Sequence, residues 1–122
     1  MINSLLDSLR SLDFSSFTED DINDILDGRD ADEFDSEWCR VDSEIERLKN
    51  SENYTSLNQT EHDEICKKAF FIIEDKISSE LSDYISDDFG LIYDSIVTGY
   101  NDIWLAKLVE AYQSGRIPNG EL

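Results

Sequence analysis

Proline, histidine, cysteine and glycine are all scarce in this chain of 122 residues, which contains one, one, two and five of them respectively. The many tight turns of a β fold favour glycine and proline, so a chain with so few of them is not expected to form one. Two cysteines in a chain of this length do not make a disulfide scaffold, so Cys39 and Cys66 indicate a reducing compartment. A single bridge between these two residues stays open as an alternative.

Long hydrophobic runs are also missing. The longest uninterrupted apolar stretch is residues 69–73, which is far too short to cross a bilayer. The first residues lack the basic region of a signal peptide and carry Asp7 instead. We therefore expect a soluble, cytoplasmic protein with no membrane partner.

Imidazole and thiol groups, which often carry out catalysis or hold metals, are equally scarce. His62 is the only imidazole, and we interpret it as a solvated side chain early in a helix. Cys66 follows four residues later and could share that helix face, but two ligands do not make a metal site. We interpret both cysteines as small apolar residues that face the core.

The sequence patterns of nucleotide, acyl-transfer and calcium sites are missing as well. The chain has no glycine-rich phosphate loop and no nucleophile elbow. An EF-hand loop needs glycine at its sixth position, and a start at Asp27, Asp30 or Asp32 never places one there. Paired carboxylates are so common that no single pair identifies a general acid and base. We therefore predict a protein that is not an enzyme and needs no cofactor and no metal.

Apolar residues, by contrast, recur at helical spacing along nearly the whole sequence, and no stretch alternates apolar and polar residues as a strand would. We predict an all-α, single-domain bundle of about five to six helices over residues 1–122. The predicted helices cover residues 2–12, about 19–27, 32–50, 61–85, 87–98 and 101–114.

Local signals set the expected helix ends. The predicted caps are Thr18, Thr60 and Ser86, and the predicted terminators are Gly28, Gly99 and Gly115. The helix over residues 61–85 carries the widest apolar face, so we expect it to be the central one. Residues 50–59 are polar and rich in turn formers, and they predict the longest loop.

Acidic residues are the abundant class, with 29 Asp and Glu against 10 Lys and Arg and a formal net charge of −19. A field this negative repels nucleic acid and anionic membranes, whereas it attracts basic proteins. Residues 13–37 hold eleven acids and one base, Arg29, for a net charge of −10. An ordinary solvated helix would intersperse lysines among its acids, and this segment has none, which favours a binding surface.

We predict two groups of partner-binding residues from this distribution. The first group is Asp20, Asp21, Asp24, Asp27, Asp30, Asp32, Glu33, Asp35 and Glu37. The second group is Asp87, Asp88, Tyr93, Asp94 and Tyr100. Tyrosine among acids suits the centre of an interface with a basic protein, although both tyrosines could instead close the core.

The C-terminal part of the chain also resembles a known class of proteins. The run from Ser86 to Tyr100, then Trp104 and Leu105, and then the run from Tyr112 to Pro118 resemble small acidic immunity proteins of bacterial toxin–immunity pairs, such as contact-dependent inhibition systems. The resemblance covers roughly a third of the chain. It implies a cytoplasmic protein that binds one toxin domain and blocks its active site, and it transfers no set of binding residues.

Charge and resemblance together predict a non-catalytic inhibitor of a cognate basic toxin domain, in particular a nuclease. The acids would cover the nucleic-acid-binding or active-site surface, and the protein itself would bind no nucleic acid. Because −19 on each copy opposes self-association, we expect a free monomer and a 1:1 heterodimer with the toxin. Two alternatives stay open: a nucleic-acid mimic that inhibits a restriction or CRISPR-type nuclease for a phage or mobile element, and an acidic adaptor.

Overall fold

The computed structural model describes residues 1–51, 53–77 and 80–122. Over these ranges the chain forms an all-α bundle without strands, which confirms the predicted fold class. The six helices in the described ranges are α1 (Ile2–Arg10), α2 (Glu19–Asp30), α3 (Asp32–Ser51), α4 (Ser56–Glu74), α5 (Leu81–Thr98) and α6 (Ile103–Gln113). None of these helices is long and apolar enough to cross a membrane.

The central helix of the bundle is α5. It contributes eleven buried residues, more than any other described helix, and it packs along α4 and against α3. The prediction that residues 61–85 form the central helix is therefore wrong. The sequence makes α5 look less buried than it is, because Asp88 and Asp94 resemble solvent-facing positions, whereas both are buried.

The start of α4 differs from its predicted position at Thr60. Thr55 caps the helix instead: its hydroxyl oxygen accepts a hydrogen bond from the Asn58 backbone N–H at 3.1 Å, and the Asn58 side-chain oxygen accepts one from the Thr55 N–H at 3.0 Å. This reciprocal pair satisfies two backbone donors that have no partner within the helix. Thr60 lies inside α4. Residues 50 and 51 belong to α3 and residues 56–59 to α4, so the predicted loop is shorter at both ends, and residues 11–18 between α1 and α2 form a longer one; residue 52 lies outside the described residues.

The predicted helix over residues 61–85 is in fact the end of α4 and the start of α5. The helix ends at Glu74, and the next one begins at Leu81; residues 78 and 79 lie outside the described ranges. Ser86, predicted as a cap, is within α5 and donates a hydrogen bond from its hydroxyl to the Cys66 carbonyl at 3.0 Å. Asp87 and Asp88 therefore lie in the body of a helix and not in its first turn.

Gly28 does not end α2, which continues to Asp30. A β-carbon at this position would lie 2.4 Å from Oδ1 of Asn119, and the Gly28 carbonyl accepts a hydrogen bond from the Gly120 N–H at 2.9 Å. The C-terminal segment thus lies directly against α2 at Gly28, where a larger residue would displace the Asn119 side chain.

The other predicted ends lie close to the observed ones. Gly99 ends α5 in the left-handed conformation with a φ of 73°, as predicted. Gly115 follows directly on the C-cap of α6, Ser114. The sixth helix begins at Ile103 and not at Asn101, because the Asp102 carboxylate accepts a hydrogen bond from the Leu105 N–H at 3.1 Å and caps the helix.

A second close approach joins α4 to α5. A β-carbon at Gly90 would lie 2.6 Å from Cε1 of His62 and 2.7 Å from Sγ of Cys66. Both side chains therefore occupy the space that any larger residue at position 90 would fill. This contact fixes the register of the two helices and places His62 beside the buried acid Asp94.

Candidate partner-binding surface

The first predicted group of acids forms a continuous stretch of sequence on α2 and the start of α3, which we call the acidic surface. Its nine members are Asp20, Asp21, Asp24, Asp27, Asp30, Asp32, Glu33, Asp35 and Glu37. Eight of the nine are exposed and Glu37 is half-buried. The structure thus leaves every carboxylate of this group accessible to a partner.

The helical spacing of α2 explains the exposure of its acids. Ile22, Ile25 and Leu26 pack on the core, so the intervening carboxylates point away from it. Asp21 also has a local role, because it forms the reciprocal cap of α2 with Thr18 at 2.9 and 3.1 Å.

Few cations balance the acidic surface. Within the described ranges, Glu37 is its one member that forms an ion pair, with Arg40 at 2.8 Å. Arg40 also binds Asp102 at 2.9 Å, which ties α3 to the start of α6 and lowers the pKa of the Asp102 carboxyl. Asp30 accepts a hydrogen bond from the Tyr84 hydroxyl at 2.9 Å. The other seven carboxylates form no ion pair among the described residues, which leaves them available to an external cation.

Arg29, the single base of residues 13–37, does not reduce this exposed charge. It is only 4% exposed and turns inward, where its guanidinium binds Asp88 through two contacts of 2.6 Å. Its planar group also lies over the Phe34 ring at 4.2 Å. The charged side chains that this segment exposes to solvent are therefore all acidic.

Asp88 is the centre of a buried polar cluster. Besides Arg29, it accepts hydrogen bonds from the Tyr112 hydroxyl at 2.5 Å and from Nε1 of Trp38 at 2.9 Å. Burial acts to lower the pKa of Arg29, but the facing Asp88 outweighs it, so the pKa lies above its usual range and the charge is kept. Asp88 was predicted to contact a partner; the structure places it fully inside the bundle, out of a partner's reach.

Asp94 is the centre of a second cluster, at the crossing of α3, α4 and α5. It binds Nζ of Lys49 at 2.7 Å, the Tyr54 hydroxyl at 2.5 Å and Nδ1 of His62 at 3.0 Å. Burial alone would raise the pKa of Asp94, yet these hydrogen bonds together lower it. Asp94 is 3% exposed, so it too lies inside the bundle although it was predicted to face a partner.

The interpretation of His62 as a solvated side chain is wrong. The ring is half-buried, and its hydrogen bond with Asp94 is the main reason that the pKa of His62 rises to about 10. Sγ of Cys66 lies 3.6 Å from its Nε2, which confirms that the two residues share a helix face. The Cys66 thiol, the His62 imidazole and the Asp94 carboxylate follow one another in the order nucleophile, base and acid of a catalytic triad. Here, however, the thiol packs against Gly90 and the acid already binds Lys49.

The other members of the second predicted group have mixed positions. Tyr93 is buried and donates a hydrogen bond to Glu61, and Tyr100 is partly buried against the core. Asp87 lies mostly at the surface, but its carboxyl loses part of its contact with water, and this loss together with the nearby Asp88 raises its pKa. Of this group, only Asp87 and part of Tyr100 are therefore accessible.

The cysteines also depart from their predicted positions. Cys39 is exposed and Cys66 is half-buried, so neither is the buried apolar residue that was expected. Both are free thiols. Among the residues that the structure describes, no group of three or more His, Cys, Asp and Glu side chains is arranged to hold a metal ion.

Sequence reasoning missed the two buried clusters, although one signal was present. Arg29 is the one base in the strongly acidic residues 13–37. An isolated base at a core-facing position of a helix suggests a buried ion pair. Its partner could not be chosen from sequence, because many acids were available and the long-range pairing of α2 with α5 was unknown.

Comparison with known proteins adds a family to this geometry. The family model described as Immunity protein PIM1 matches residues 1–119, nearly the whole chain. Comparison with curated proteins gives no match. Comparison with solved structures gives none either.

Proposed function

We propose that this chain, which belongs to the immunity protein PIM1 family, is a non-catalytic inhibitor that binds a cognate toxin through its acidic surface. The observation that carries the proposal is the composition of that surface: nine accessible carboxylates, with the single base of the segment turned into the core. A surface whose charges all have one sign attracts a partner whose surface carries the opposite sign.

The toxin that fits this surface has a basic patch, as nucleases do because they bind phosphates. Carboxylates of α2 and α3 would engage the Lys and Arg side chains that otherwise hold nucleic acid. Long-range attraction speeds the encounter, and it weakens as salt screens the charges. In this proposal the inhibitor covers the nucleic-acid surface of a nuclease toxin and binds no nucleic acid itself.

The scaffold supports the proposal because it fixes the acidic surface before binding. Arg29 joins α2 to α5 through Asp88, and Arg40 joins α3 to α6 through Asp102. A surface that is already ordered loses less conformational entropy on association. The proposal includes a free monomer, a 1:1 complex and a cytoplasmic location, which the two free thiols support.

A titration of the toxin tests the proposal. The partner is purified from the native host, its activity is assayed, and the chain is added in increasing amounts. We expect complete inhibition at one copy per toxin and competition with nucleic acid for the same toxin surface. Neutralising Asp20, Asp24 and Asp27 to Asn should weaken inhibition by at least about tenfold.

A matched control separates local charge from total charge. The exposed acids Asp63, Glu64 and Glu110 lie on α4 and α6, outside the acidic surface, and neutralising them changes the net charge by the same amount. The control variant should inhibit nearly as well as the original chain. Equal weakening in both variants, or inhibition that survives in the first, would contradict the proposal.

A further inference from the structure

A groove runs along α2 beside Ile77 and Glu80, with a volume of about 840 Å³. Its apolar lining consists of Phe17, Ile22, Leu26 and Ile77. Phe17 is 37% exposed, and Leu26 and Ile77 are partly exposed as well. An accessible aromatic ring beside branched aliphatic side chains is the kind of surface that anchors a partner.

Exposed carboxylates border this groove. Glu19, Asp27, Asp30 and Glu80 line it, and no Lys or Arg is among the described residues of its lining. Two of these acids belong to the acidic surface, so at this groove that surface offers apolar contact as well as charge. Its complement is a segment that carries both cations and apolar side chains.

A second groove, on α4, combines an exposed aromatic ring with a different set of charges. The α4 groove has a volume of about 380 Å³ and contains Phe71, which is 50% exposed. Arg10, Lys67 and Lys68 line it together with two acids, so its charge is mixed. An apolar cation-bearing segment has no electrostatic preference for the α4 groove and a strong one for the α2 groove.

We propose that the α2 groove binds a cationic, amphipathic segment of the cognate toxin. Apolar side chains of that segment would pack on Phe17 and Leu26, while its Lys and Arg side chains would meet Glu19, Asp27 and Glu80. This inference rests on the proposed function and adds the chemistry of the bound segment. Charge alone gives fast encounter, whereas burial of apolar area at the groove gives slow dissociation.

Two synthetic peptides test the chemistry of the groove. One is a helical peptide of Lys and Leu with all Leu on one face, and the other has Ser in place of every Leu and the same charge. Each is titrated into the isotope-labelled protein and followed by amide chemical shifts. We expect the Leu peptide to bind about tenfold more tightly and to shift the signals of Ile22, Leu26 and Ile77 most strongly.

Two double variants test the location. Glu19→Gln with Asp27→Asn removes two charges at the groove, whereas Asp32→Asn with Asp35→Asn removes two charges from the acidic surface outside it. The first variant should weaken the Leu peptide about tenfold and the second less than about threefold. Equal binding of both peptides, equal losses in both variants, or no binding of the Leu peptide would overturn the groove assignment.

The purified toxin separates this inference from the proposed function. If both variants weaken toxin binding equally, the acidic surface is the interface and the groove assignment is wrong. If neither variant weakens it, the proposed function is wrong as well.

Discussion

The nine carboxylates of the acidic surface are accessible to solvent, whereas Asp88 and Asp94 of α5 lie inside the bundle. The two buried acids are each matched by cations and hydroxyl donors: Asp88 by Arg29 and Tyr112, Asp94 by Lys49, His62 and Tyr54. On the acidic surface, by contrast, one of the nine acids forms an ion pair within the described ranges. Acidic side chains are thus paired inside the bundle on α5, whereas on α2 and α3 they remain accessible to a partner.

The difference shows that the net charge of this protein has two separate components. Buried acids are neutralised by internal partners, so they organise the fold and add nothing to the external field. Exposed acids repel one another and contribute little to stability, so their concentration on α2 and α3 calls for a reason outside the molecule. Substitutions in the two regions should therefore affect different measurements.

The largest effect should follow from Asp88→Asn. This change leaves the Arg29 guanidinium buried without a counter-charge, and loss of one partner from a buried ion pair costs about 3–5 kcal/mol. We expect a loss of that size in the free energy of unfolding measured with urea. Asp27→Asn on the acidic surface is the matched control and should change stability by less than about 0.5 kcal/mol. Similar losses in the two variants would contradict the division into two roles.

A smaller loss should follow from Gly90→Ala, which disturbs the contact that sets His62 beside Asp94. The added methyl group would lie 2.6 Å from Cε1 of His62 and 2.7 Å from Sγ of Cys66, so these two side chains must shift or the helices must separate, at a cost of about 1–3 kcal/mol. Thermal or urea unfolding measures this loss. Gly28→Ala is the comparison, because it meets the Asn119 side chain on the C-terminal segment, which can move away more easily than a helix. A larger loss for Gly28→Ala would show that the α4–α5 contact is not tight.

The Asp94 cluster should make stability depend on pH through His62. The pKa of His62 is about 10 in the folded protein against an ordinary value of 6.5, so the stabilisation is fully present below pH 6.5 and is lost as the pH rises through about 10. Because the half-buried ring is screened by solvent, we expect about 1–2 kcal/mol. The measurement is the difference in unfolding free energy between the original chain and His62→Gln from pH 6 to pH 10.5. A difference that stays constant over this range would show that the ion pair does not stabilise the fold.

The smallest effect on stability should come from the acidic surface itself. Neutralising Asp20, Asp24 and Asp27 to Asn removes exposed charges that repel one another, and each change should alter the unfolding free energy by less than about 0.5 kcal/mol. Urea unfolding at low salt is the sensitive condition, since salt screens the repulsion. A combined loss above about 2 kcal/mol would mean that these acids hold the fold together and are not reserved for a partner.

The sequence predicts the helical class because apolar spacing is a local property, and Thr18 and Gly99 mark the ends that they were expected to mark. It places the start of α5 wrongly because Asp87 and Asp88 resemble the acids of a first helical turn, while the buried position of Asp88 depends on Arg29, 59 residues earlier in the chain. The exposed acids of α2 and α3 could be located from the density of acidic residues along the sequence. The buried roles of Asp88, Asp94 and His62 could not, because they depend on how distant helices pack.

The association rate of the purified toxin at low and high salt tests the central claim most directly. We expect the rate for the original chain to fall at least about tenfold between 50 and 300 mM salt. The variant with Asp20, Asp24 and Asp27 neutralised should bind more slowly at low salt and respond less to added salt. Equal rates and equal salt dependence in the two proteins would contradict the claim that the exposed acids of α2 and α3 guide the partner to this surface.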